Sequence, residues 1–381
     1  MSYKVLHIPF WYPTQDDPYK ASFIKNHIVA LNNYCDNFIY HIEVRPNRKW
    51  SVRHRKISKK EKELIIDVKD SKWFIIEVLT TMSLIYVLLF MLKIKKYDVI
   101  NFHIAYPICT YLHIIQKFVK TPVIITEHWS AYHFDFGVSK NNKLVRVKRI
   151  FHSDISLITV SKSLAEDIRK FSGKLTLEPI IIPNVVDENI FMCLNSIVRS
   201  RRFFMVGEWK SPKNPFPVIK AFKELIINYP DIRLIIGGFG PQEKAIKRLI
   251  NDLKLYNYIN YMGSLQKEEV AAEMNKAMAY IHSSNYETFS VVCAEALCCG
   301  TPVISSNVGG IREFVNNNNG FLVKKDSDVN HWKDVIEYFI TNKDRYDREE
   351  ISKDARNKFN SQFVGKKYYQ VIKNSVNPSY V

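Results

Sequence analysis

Short apolar runs rich in valine and isoleucine recur along the chain, and each is followed by a turn signal and then by a stretch with helical periodicity. Strands that are apolar along their whole length and alternate with helices are typical of a parallel sheet covered by helices on both faces. The pattern therefore predicts an α/β fold with doubly wound parallel sheets. The predicted strands are 4–8, 97–103, 122–127, 155–160 and 179–182 in the first half, and 202–206, 232–237, 258–262, 278–282, 301–305 and 321–323 in the second.

The chain length of 381 residues is enough for two such sheets, at about 150 residues per domain. A weakly patterned stretch separates the two series of strands between residues 183 and 202. We therefore predict one doubly wound domain over residues 1–190 and a second over residues 195–360. The segment 324–360 is predicted to be helical, and 361–374 is predicted to be a closing helix.

The composition excludes several classes of protein. Apolar residues make up 46% of the chain and aromatic residues 13%, which is too much for a disordered, collagen-like or small disulfide-stapled protein. The six cysteines lack the paired spacing of zinc ligands, so we expect reduced, mostly buried thiols in a cytoplasmic protein. The first residues, MSYKVLHIPFWYP, contain no basic and apolar leader, so secretion is not expected.

One apolar segment, residues 73–92, is long enough to span a bilayer. Glu77 and three hydroxyl residues interrupt its N-terminal half, and these side chains would be costly in lipid. We therefore favour a buried or surface-lying helix over a membrane-spanning one.

The strongest indication of chemistry lies in residues 284–313, SNYETFSVVCAEALCCGTPVISSNVGGIRE. Glu287 follows a predicted strand, and residues 290–299 are predicted to form a helix that stops at Gly300. At helical spacing, Glu295 would lie about 80° around the helix axis from Glu287 and about two turns along it. The two carboxylates therefore suit two separate parts of one long ligand rather than an acid/base pair acting on one bond.

A predicted helix N-terminus lies between these glutamates, and its free N–H groups and partial positive charge favour a phosphate. The Gly309-Gly310 turn can bring backbone N–H groups to the same phosphate. Lys213, which we place at the start of a helix after strand 202–206, can add a positive charge. All these positions follow the carboxyl ends of strands, where parallel sheets bind ligands. Together they indicate a ligand with hydroxyls at both ends and a diphosphate between them, such as a nucleotide-sugar.

Further motifs extend over nearly the whole chain. They are His7 to Pro13 with Ser22-Phe23, Thr126 to Trp129, Ser153-Asp154 with Val160 to Leu164, Ile182 to Asp187, Val206-Gly207 with Lys213, Gly237 to Pro241, Met262-Gly263, and Gly300 to Ile304 with Gly309 to Glu313. With the Glu287 and Glu295 pair, this set resembles the retaining glycosyltransferases of family 4, and the chain is similar to bacterial enzymes of surface-polysaccharide and lipopolysaccharide synthesis.

The resemblance implies a GT-B fold, in which two Rossmann-like domains face each other across a cleft. The first domain would bind the acceptor and the second the nucleotide-sugar, and the last helix, within about residues 361–381, would return to the first domain. The resemblance also implies transfer of a sugar to an acceptor hydroxyl with retention of the anomeric configuration.

Individual roles follow from the same resemblance. Glu287 would contact sugar hydroxyls, Glu295 the ribose hydroxyls, Lys213 the diphosphate, Gly309 and Gly310 the sugar and phosphates through their backbone, and the turn at Gly263 the base. His128 would stand near the reacting sugar, either as a catalytic group with Glu287 and Lys213 or as a hydrogen-bonding residue that lines the cleft. His103 is a further candidate on the acceptor side.

Three positions depart from the family pattern. Glu208 replaces the usual arginine of the phosphate loop, Ala21 replaces a glycine ahead of Phe23, and Phe239 replaces an acidic residue. Loss of the arginine removes a bidentate phosphate clamp, so either Lys210 or Lys213 does that work or the donor binds more weakly.

We expect no metal ion and no cofactor, because no Asp-x-Asp motif lies near a strand end. Lys213 and the helix N-termini would stabilise the charge of the departing diphosphate instead. The favoured mechanism is front-face attack, in which the departing phosphate oxygen helps to deprotonate the acceptor hydroxyl.

The formal net charge is +17, and the basic residues concentrate in two runs of the first half. The runs are Arg45, Arg48, Lys49, Arg53, Arg55, Lys56, Lys59, Lys60 and Lys62, with only Glu61 opposing them, and Lys140, Lys143, Arg146, Lys148 and Arg149. A charge run is usually a solvated face. Beside the apolar segment 73–92, however, these runs suggest docking on an anionic membrane, which predicts a peripheral enzyme on the inner face of the cell membrane that acts on a glycan or lipid-linked acceptor.

Other functions are less well supported by the sequence. A dinucleotide oxidoreductase is suggested by Gly238-Phe239-Gly240, but Glu243 stands where the third glycine of that motif belongs. A nucleic-acid-binding protein is suggested by the charge, but no nucleic-acid-binding module is recognisable, so we expect no nucleic-acid partner. Among GT-B enzymes, a sugar-nucleotide epimerase or a phosphorylase remains open.

Overall fold

A computed structural model gives the conformation of most of the chain. The described residues are 2–14, 17, 20–47, 49–69, 73–87, 96–117, 119–137, 142–194, 201–324 and 328–377. They form two compact units, the first comprising residues 1–185 and 361–381 and the second residues 186–360. The division falls inside the weakly patterned stretch, of which residues 195–200 lie outside the described part.

The first unit is built on an eight-stranded sheet. Its strands are β1 (Tyr3–Pro9), β2 (Cys35–Pro46), β3 (Ser51–Lys56), β4 (Glu61–Val68), β5 (Val99–His103), β6 (Val123–Glu127), β7 (Ser156–Thr159) and β8 (Ile180–Ile181), in the order β3-β4-β2-β1-β5-β6-β7-β8. All neighbouring strands are parallel except the hairpin of β3 and β4. Its helices are α1 (Ser22–Ala30), α2 (Trp73–Tyr86), α3 (Leu112–Ile115), α4 (Asn142–Ile150), α5 (Lys162–Ser172) and α12 (Ser361–Val376), with a 3-10 segment at Ser130–Gly137.

The second unit is built on a six-stranded parallel sheet. Its strands are β9 (Arg202–Glu208), β10 (Arg233–Phe239), β11 (Ile259–Gly263), β12 (Ala279–His282), β13 (Val303–Ser306) and β14 (Gly320–Val323), in the order β11-β10-β9-β12-β13-β14. Its helices are α6 (Phe216–Asn228), α7 (Glu243–Asp252), α8 (Lys267–Lys276), α9 (Val291–Cys298), α10 (Val329–Thr341) and α11 (Arg348–Phe359), with 3-10 turns at Gly309–Glu313 and Lys343–Arg345. Each strand predicted for this half is observed, and the prediction of two doubly wound α/β domains is confirmed.

The strand pattern missed β2, β3 and β4. β3 alternates between partly buried and exposed residues, and its partner β4 begins with two partly exposed residues. Both contain many charged residues, so the local sequence resembles a solvated basic surface rather than a buried strand.

Several residues of the first basic run are neutralised inside this part of the sheet. Arg45 and Arg53 pair with the buried Asp67, Arg55 pairs with the buried Glu63, and Lys60 pairs with Asp36. Glu61 is the only acidic residue within the run itself, but strand pairing brings acidic residues from outside the run against it. Lys49, Lys56 and Lys59 are exposed, whereas Arg48 and, in the second run, Lys140 lie outside the described residues.

The apolar segment 73–92 contains α2, and its residues 88–92 lie outside the described part. Glu77 of α2 is fully buried and accepts hydrogen bonds from Tyr106 Oη (2.8 Å) and Arg146 Nε (3.1 Å). Protein groups of the same unit thus satisfy its carboxylate. In the part of the chain that the structure describes, no helix combines the length and the hydrophobicity that crossing a membrane requires.

The closing helix α12 packs into the first unit through its apolar face. Tyr368 is fully buried, and its hydroxyl accepts a hydrogen bond from Asn101 (2.7 Å) and contacts the Thr126 hydroxyl. Gly365 lies directly against α1, where a Cβ atom would come within 2.2 Å of the Ala30 carbonyl oxygen. These contacts fix α12 against the carboxyl halves of β5 and β6.

Candidate active site

The strand order of the second sheet reverses between β9 and β12. β10 and β11 lie on one side of β9, and β13 and β14 lie beyond β12. The loops that leave such a pair of strands diverge, which opens a crevice at the carboxyl ends of the strands. Lys213 follows β9 and Glu287 follows β12, so both residues belong to this crevice.

A backbone pairing between the two loops sets their register. Lys213 forms an antiparallel bridge with Ser284, and Asn214 N–H donates to the Ser283 carbonyl (3.0 Å). The prediction that Lys213 opens a helix is wrong, because α6 begins three residues later, at Phe216. The bridge, rather than a helix, positions the lysine beside the loop that carries Glu287.

Three side chains meet at this point. The Lys213 ammonium donates to Oε1 of Glu287, and His282 Nε2 lies 3.0 Å from the same oxygen and 3.3 Å from Lys213 Nζ. The side chains of Lys213, Glu287 and His282 are 20%, 13% and 3% exposed. The sequence analysis did not identify His282, although it is the last residue of a predicted strand and its side chain therefore lies at the ligand-binding edge.

The charges of this cluster stabilise the ionised carboxylate. Burial alone would raise the pKa of Glu287, but the Lys213 ammonium and the hydrogen bond from His282 outweigh it and lower that pKa to about 2. Burial and the neighbouring ammonium lower the pKa of His282, so its imidazole is neutral near pH 7. The site therefore presents an ionised carboxylate, hydrogen-bonded by Lys213 Nζ, beside a neutral imidazole.

The glycine turn after β13 supports the backbone of Glu287. Gly309 has φ +50°, and a Cβ atom there would lie 1.6 Å from the Glu287 carbonyl oxygen. Gly310 N–H donates to that same carbonyl at 3.0 Å. The amide of Gly310 is thus engaged by the protein itself, and the close approach explains why glycine is needed at Gly309.

Helix α9 begins at Val291, so Glu287 lies in the preceding loop and not on the helix. The predicted angle of 80° between the two glutamates is therefore wrong, because it assumed one continuous helix. Ser290 stands before the helix in the left-handed region, with φ +69°. Backbone strain of this kind is concentrated at functional sites.

Glu295 lies on α9 and is partly exposed. Within the described residues, no hydrogen-bond partner of its carboxylate is found. Burial raises its pKa to about 7, against the opposing effect of Lys267. Its carboxylate is thus able to accept hydrogen bonds from a ligand.

At the end of β9, Glu208 stands where the resemblance places the arginine of a phosphate loop. Glu208 Oε1 accepts from Lys210 Nζ at 2.7 Å, and both side chains are about half exposed. Lys210 is therefore neutralised by the residue that replaces the usual arginine, whereas Lys213 is directed into the crevice. At the end of β11, Gly263 has φ +78°, which favours glycine at the turn that the resemblance assigns to the base.

In the first unit, the loop after β6 is organised by Glu127. This fully buried carboxylate accepts four hydrogen bonds, from the backbone N–H of Ala105 (2.9 Å), His128 (2.8 Å) and Trp129 (2.9 Å) and from Tyr132 Oη (2.8 Å). Burial raises the pKa of Glu127, and these four hydrogen bonds oppose that effect while satisfying both oxygens. The network fixes the backbone on which His128 stands.

The His128 side chain is 6% exposed and lies against Phe23 and His27, with ring centroids 4.8 and 5.2 Å apart. Its ring nitrogens make no hydrogen bond of good geometry within the described residues, although burial lowers the His128 pKa against the opposing effect of the nearby Asn184 side chain. Buried polar atoms without a partner are rare and are expected to bind a ligand or water. Phe23 lies in the first turn of α1. Ala21, just before that helix, has φ +49°, a left-handed conformation that favours glycine, the residue that the family pattern has at this position.

His103 lies deeper in the first unit. It is fully buried, its Nε2 is 3.1 Å from His7 Nδ1, and its ring stacks on that of His128 at 6.4 Å. The structure thus groups His103 and His128 in one unit, and groups Lys213, Glu287, Glu295, Gly263, Gly309 and Gly310 in the other.

Comparison with known proteins connects this site to a family. Residues 188–358 match the family "Glycosyl transferases group 1". Glycogen synthase of Mycobacterium tuberculosis is 27% identical over 230 residues, which cover 58% of this chain and 54% of that protein, so the chain spans about half the length of this relative.

The solved structures of two proteins share the fold over the whole chain. Sucrose-phosphate synthase from Thermosynechococcus elongatus superposes with a TM-score of 0.76 at 16% sequence identity. The match covers 99% of this chain and 100% of that protein's chain. Anabaena HepE in complex with UDP has a TM-score of 0.73 at 15% identity, over 98% and 100%. The GT-B fold is thereby confirmed. Residues 188–358 are thus similar to the group 1 glycosyltransferase family, and the chain as a whole shares the fold of these two solved structures.

Proposed function

We propose that this protein transfers a sugar from a nucleotide-sugar donor to an acceptor hydroxyl, with retention of the anomeric configuration. The observation that carries the proposal is the meeting of Lys213 and Glu287 at the carboxyl ends of β9 and β12, where the strand order reverses. A cation for a diphosphate and a carboxylate for sugar hydroxyls then lie side by side, as a nucleotide-sugar requires. The complex of Anabaena HepE with UDP supports a nucleoside diphosphate as the ligand class.

On this proposal each donor residue binds one part of the ligand. Lys213 contacts the diphosphate, together with the N-terminus of α9. Glu287 binds hydroxyls of the transferred sugar and Glu295 binds the ribose hydroxyls. The turn at Gly263 faces the base, and the turn at Gly309 and Gly310 supports the sugar side of the site.

The proposed chemistry is front-face attack by the acceptor hydroxyl. The departing phosphate oxygen takes up the proton of that hydroxyl while Lys213 stabilises the charge of the diphosphate. We propose that the ring nitrogens of His128, in the first unit, hydrogen-bond the reacting sugar, as the resemblance implies. No metal ion takes part in this proposal, because the lysine and the helix N-terminus supply the positive charge.

A donor screen tests the proposal. Thermal unfolding is measured with UDP, GDP and their common sugar conjugates, because a ligand that binds the native state raises the unfolding temperature by mass action. We expect one nucleotide-sugar to stabilise the protein selectively. Incubation with that donor and candidate acceptors, followed by product analysis, separates transfer from epimerisation or phosphorolysis, and the anomeric configuration of the product tests retention. Absence of stabilisation by every nucleotide-sugar contradicts the proposal.

We further propose that the acceptor is a lipid-linked glycan of a cell-surface polysaccharide and that the protein docks on the inner face of the cell membrane. An apolar groove of about 240 Å³ lies between α2 and α3 and is lined by Val78, Thr81, Met82, Ile85, Tyr111, Ile114 and Ile115. Exposed lysines of the β3–β4 hairpin belong to the same unit. Each basic residue near an anionic surface contributes about 1 kcal/mol to membrane binding.

Co-sedimentation with vesicles that contain phosphatidylglycerol tests the membrane proposal. We expect binding at low salt that weakens when Lys49, Lys56 and Lys59 are replaced by alanine. Replacement of three exposed lysines of the second unit, Lys220, Lys223 and Lys244, removes the same charge and serves as the matched control. Equal loss in both triple variants, or no binding by the unaltered protein, contradicts the proposal.

A further inference from the structure

We propose that His282 is a positioning residue for sugar recognition, which holds Oε1 of Glu287 so that Oε2 is left to bind the hydroxyls of the donor sugar. The inference rests on the proposed function and adds to it a residue that determines the affinity for the sugar but not for the nucleotide. Three observations carry it: the convergence of donors on one carboxylate oxygen, the fixed position of the imidazole, and the competition for Lys213.

Both donors of the cluster contact the same oxygen of Glu287. Lys213 Nζ and His282 Nε2 bond Oε1, and among the described residues no donor bonds Oε2. The side chain of Glu287 is 13% exposed. A carboxylate held through one oxygen presents the other at a defined position, which is what directional recognition of a hydroxyl requires.

The imidazole of His282 is held in position by burial, since the residue is only 3% exposed. Tyr280 donates its hydroxyl proton to the Val206 carbonyl (3.0 Å), and its oxygen lies 3.4 Å from His282 Nδ1. A neutral imidazole has a single N–H. The Glu287 carboxylate is both closer, at 3.0 Å, and charged, so the proton is best placed on Nε2, where it donates to Oε1.

A bound nucleotide-sugar is expected to affect the two groups that hydrogen-bond Glu287, Lys213 and His282, differently. A diphosphate competes with Glu287 for the Lys213 ammonium, because both are anions and the lysine stem is flexible. His282 is neutral and buried at the end of β12, so the diphosphate competes less strongly for its N–H than for the Lys213 ammonium. His282 therefore keeps Glu287 oriented while Lys213 is engaged with phosphate.

The test compares nucleoside diphosphates with nucleotide-sugars in two variants, His282→Leu and His282→Gln. The probes are the pairs UDP and UDP-glucose, UDP and UDP-N-acetylglucosamine, and GDP and GDP-mannose, and the pair that the unaltered protein binds most tightly is used. For His282→Leu we expect nucleoside diphosphate affinity within about twofold of the unaltered protein and nucleotide-sugar affinity at least about tenfold weaker, since a hydrogen bond to a charged group is lost. His282→Gln keeps an N–H donor and is expected to recover most of the loss.

A double variant checks that His282 acts through Glu287. Because Glu287→Gln already removes the carboxylate, adding His282→Leu to it is expected to weaken nucleotide-sugar binding little further. Equal weakening of both probes by His282→Leu without rescue by glutamine, or no change at all, overturns the inference. If the unaltered protein binds none of the nucleotide-sugars, the proposed function fails; if it binds one and His282→Leu does not alter the affinity, only the role of His282 fails.

Discussion

Lys213 donates a hydrogen bond to Oε1 of Glu287, although the two residues are 74 positions apart in the chain. The contact joins the loops of the two strands between which the sheet order reverses. Burial alone would raise the pKa of Glu287, but the ammonium outweighs it and lowers that pKa to about 2, so the carboxylate is ionised near pH 7. A cation and an anion of this kind suit the two ends of a sugar diphosphate.

Replacing Lys213 by alanine is expected to lower kcat/KM for sugar transfer by about a hundredfold to a thousandfold. Removal of one group that stabilises developing negative charge costs about 2.7–4 kcal/mol of transition-state stabilisation. Steady-state kinetics with the donor found in the screen measure the effect. Lys220→Ala, an exposed lysine on α6, is the control and is expected to retain the activity of the unaltered protein. A loss smaller than about fivefold for Lys213→Ala contradicts the assignment of this lysine to the diphosphate.

The second sheet was predictable because its strands are short, apolar and flanked by turns. The strands to which Ile235 and Ile281 belong are buried on both faces, so their sequences are continuous apolar runs that are easily recognised. The hairpin of β3 and β4 was not recognisable in this way, because it contains charged residues such as Arg53 and Arg55. These arginines contact their acidic partners only once the two strands have paired. Local patterns do not reveal partners that the fold supplies.

The candidate site was predictable in its residue types and not in its geometry. Glu287 and Lys213 were identified from their motifs and their places after strands. Their contact depends on the bridge between Lys213 and Ser284, which is a pairing between distant segments. His282 was missed because a single histidine at the end of an apolar strand has the same pattern as a core residue.

Donor affinity is expected to rise with pH through about 7 and to become constant above it, because Glu295 has a pKa of about 7. The ionised carboxylate accepts hydrogen bonds from both ribose hydroxyls, whereas the protonated form has lost one acceptor. If only the ionised form binds, affinity changes by up to about tenfold between pH 6 and pH 8. Calorimetric titration with the nucleotide-sugar measures the effect. Glu295→Gln is expected to flatten the profile, and an unaltered profile in that variant refutes the assignment.

Arg146→Met is expected to lower the free energy of unfolding by about 3 kcal/mol, because it leaves the buried Glu77 carboxylate without its cationic partner. The value is at the lower end for buried pairs since the Arg146 side chain is 28% exposed. Denaturant unfolding measures the change. Arg149→Met, at an exposed position of the same helix α4, is the control.

A second substitution identifies the cause of that loss. Glu77→Gln removes the charge and keeps an acceptor for the Tyr106 hydroxyl, so the double variant with Arg146→Met is expected to be more stable than Arg146→Met alone. If the double variant is less stable, the loss comes from the packing of the arginine stem and not from an uncompensated charge.

The protein is expected to lose stability as the pH falls from about 6.5 to about 4, because buried histidines of the first unit remain neutral in the folded state. Burial lowers the pKa of His7 and of His27 to about 4, whereas an unfolded chain protonates them near 6.5. The unfolded state therefore binds more protons in this interval, so stability falls with decreasing pH. Each unit of pKa difference corresponds to about 1.4 kcal/mol.

His27→Gln isolates one contribution to this loss. The His27 imidazole donates from Nε2 to the Pro183 carbonyl at 3.1 Å, and a glutamine amide replaces that N–H without a group that takes up a proton. We expect the free energy of unfolding of the variant to depend less steeply on pH between 6.5 and 4, when denaturant titrations are compared across that interval. His113→Gln, at an exposed position, is the matched control and is expected to leave the slope unchanged. Equal slopes for the unaltered protein and His27→Gln would mean that acid acts on other groups, because the pKa difference of His27 then contributes nothing to folding.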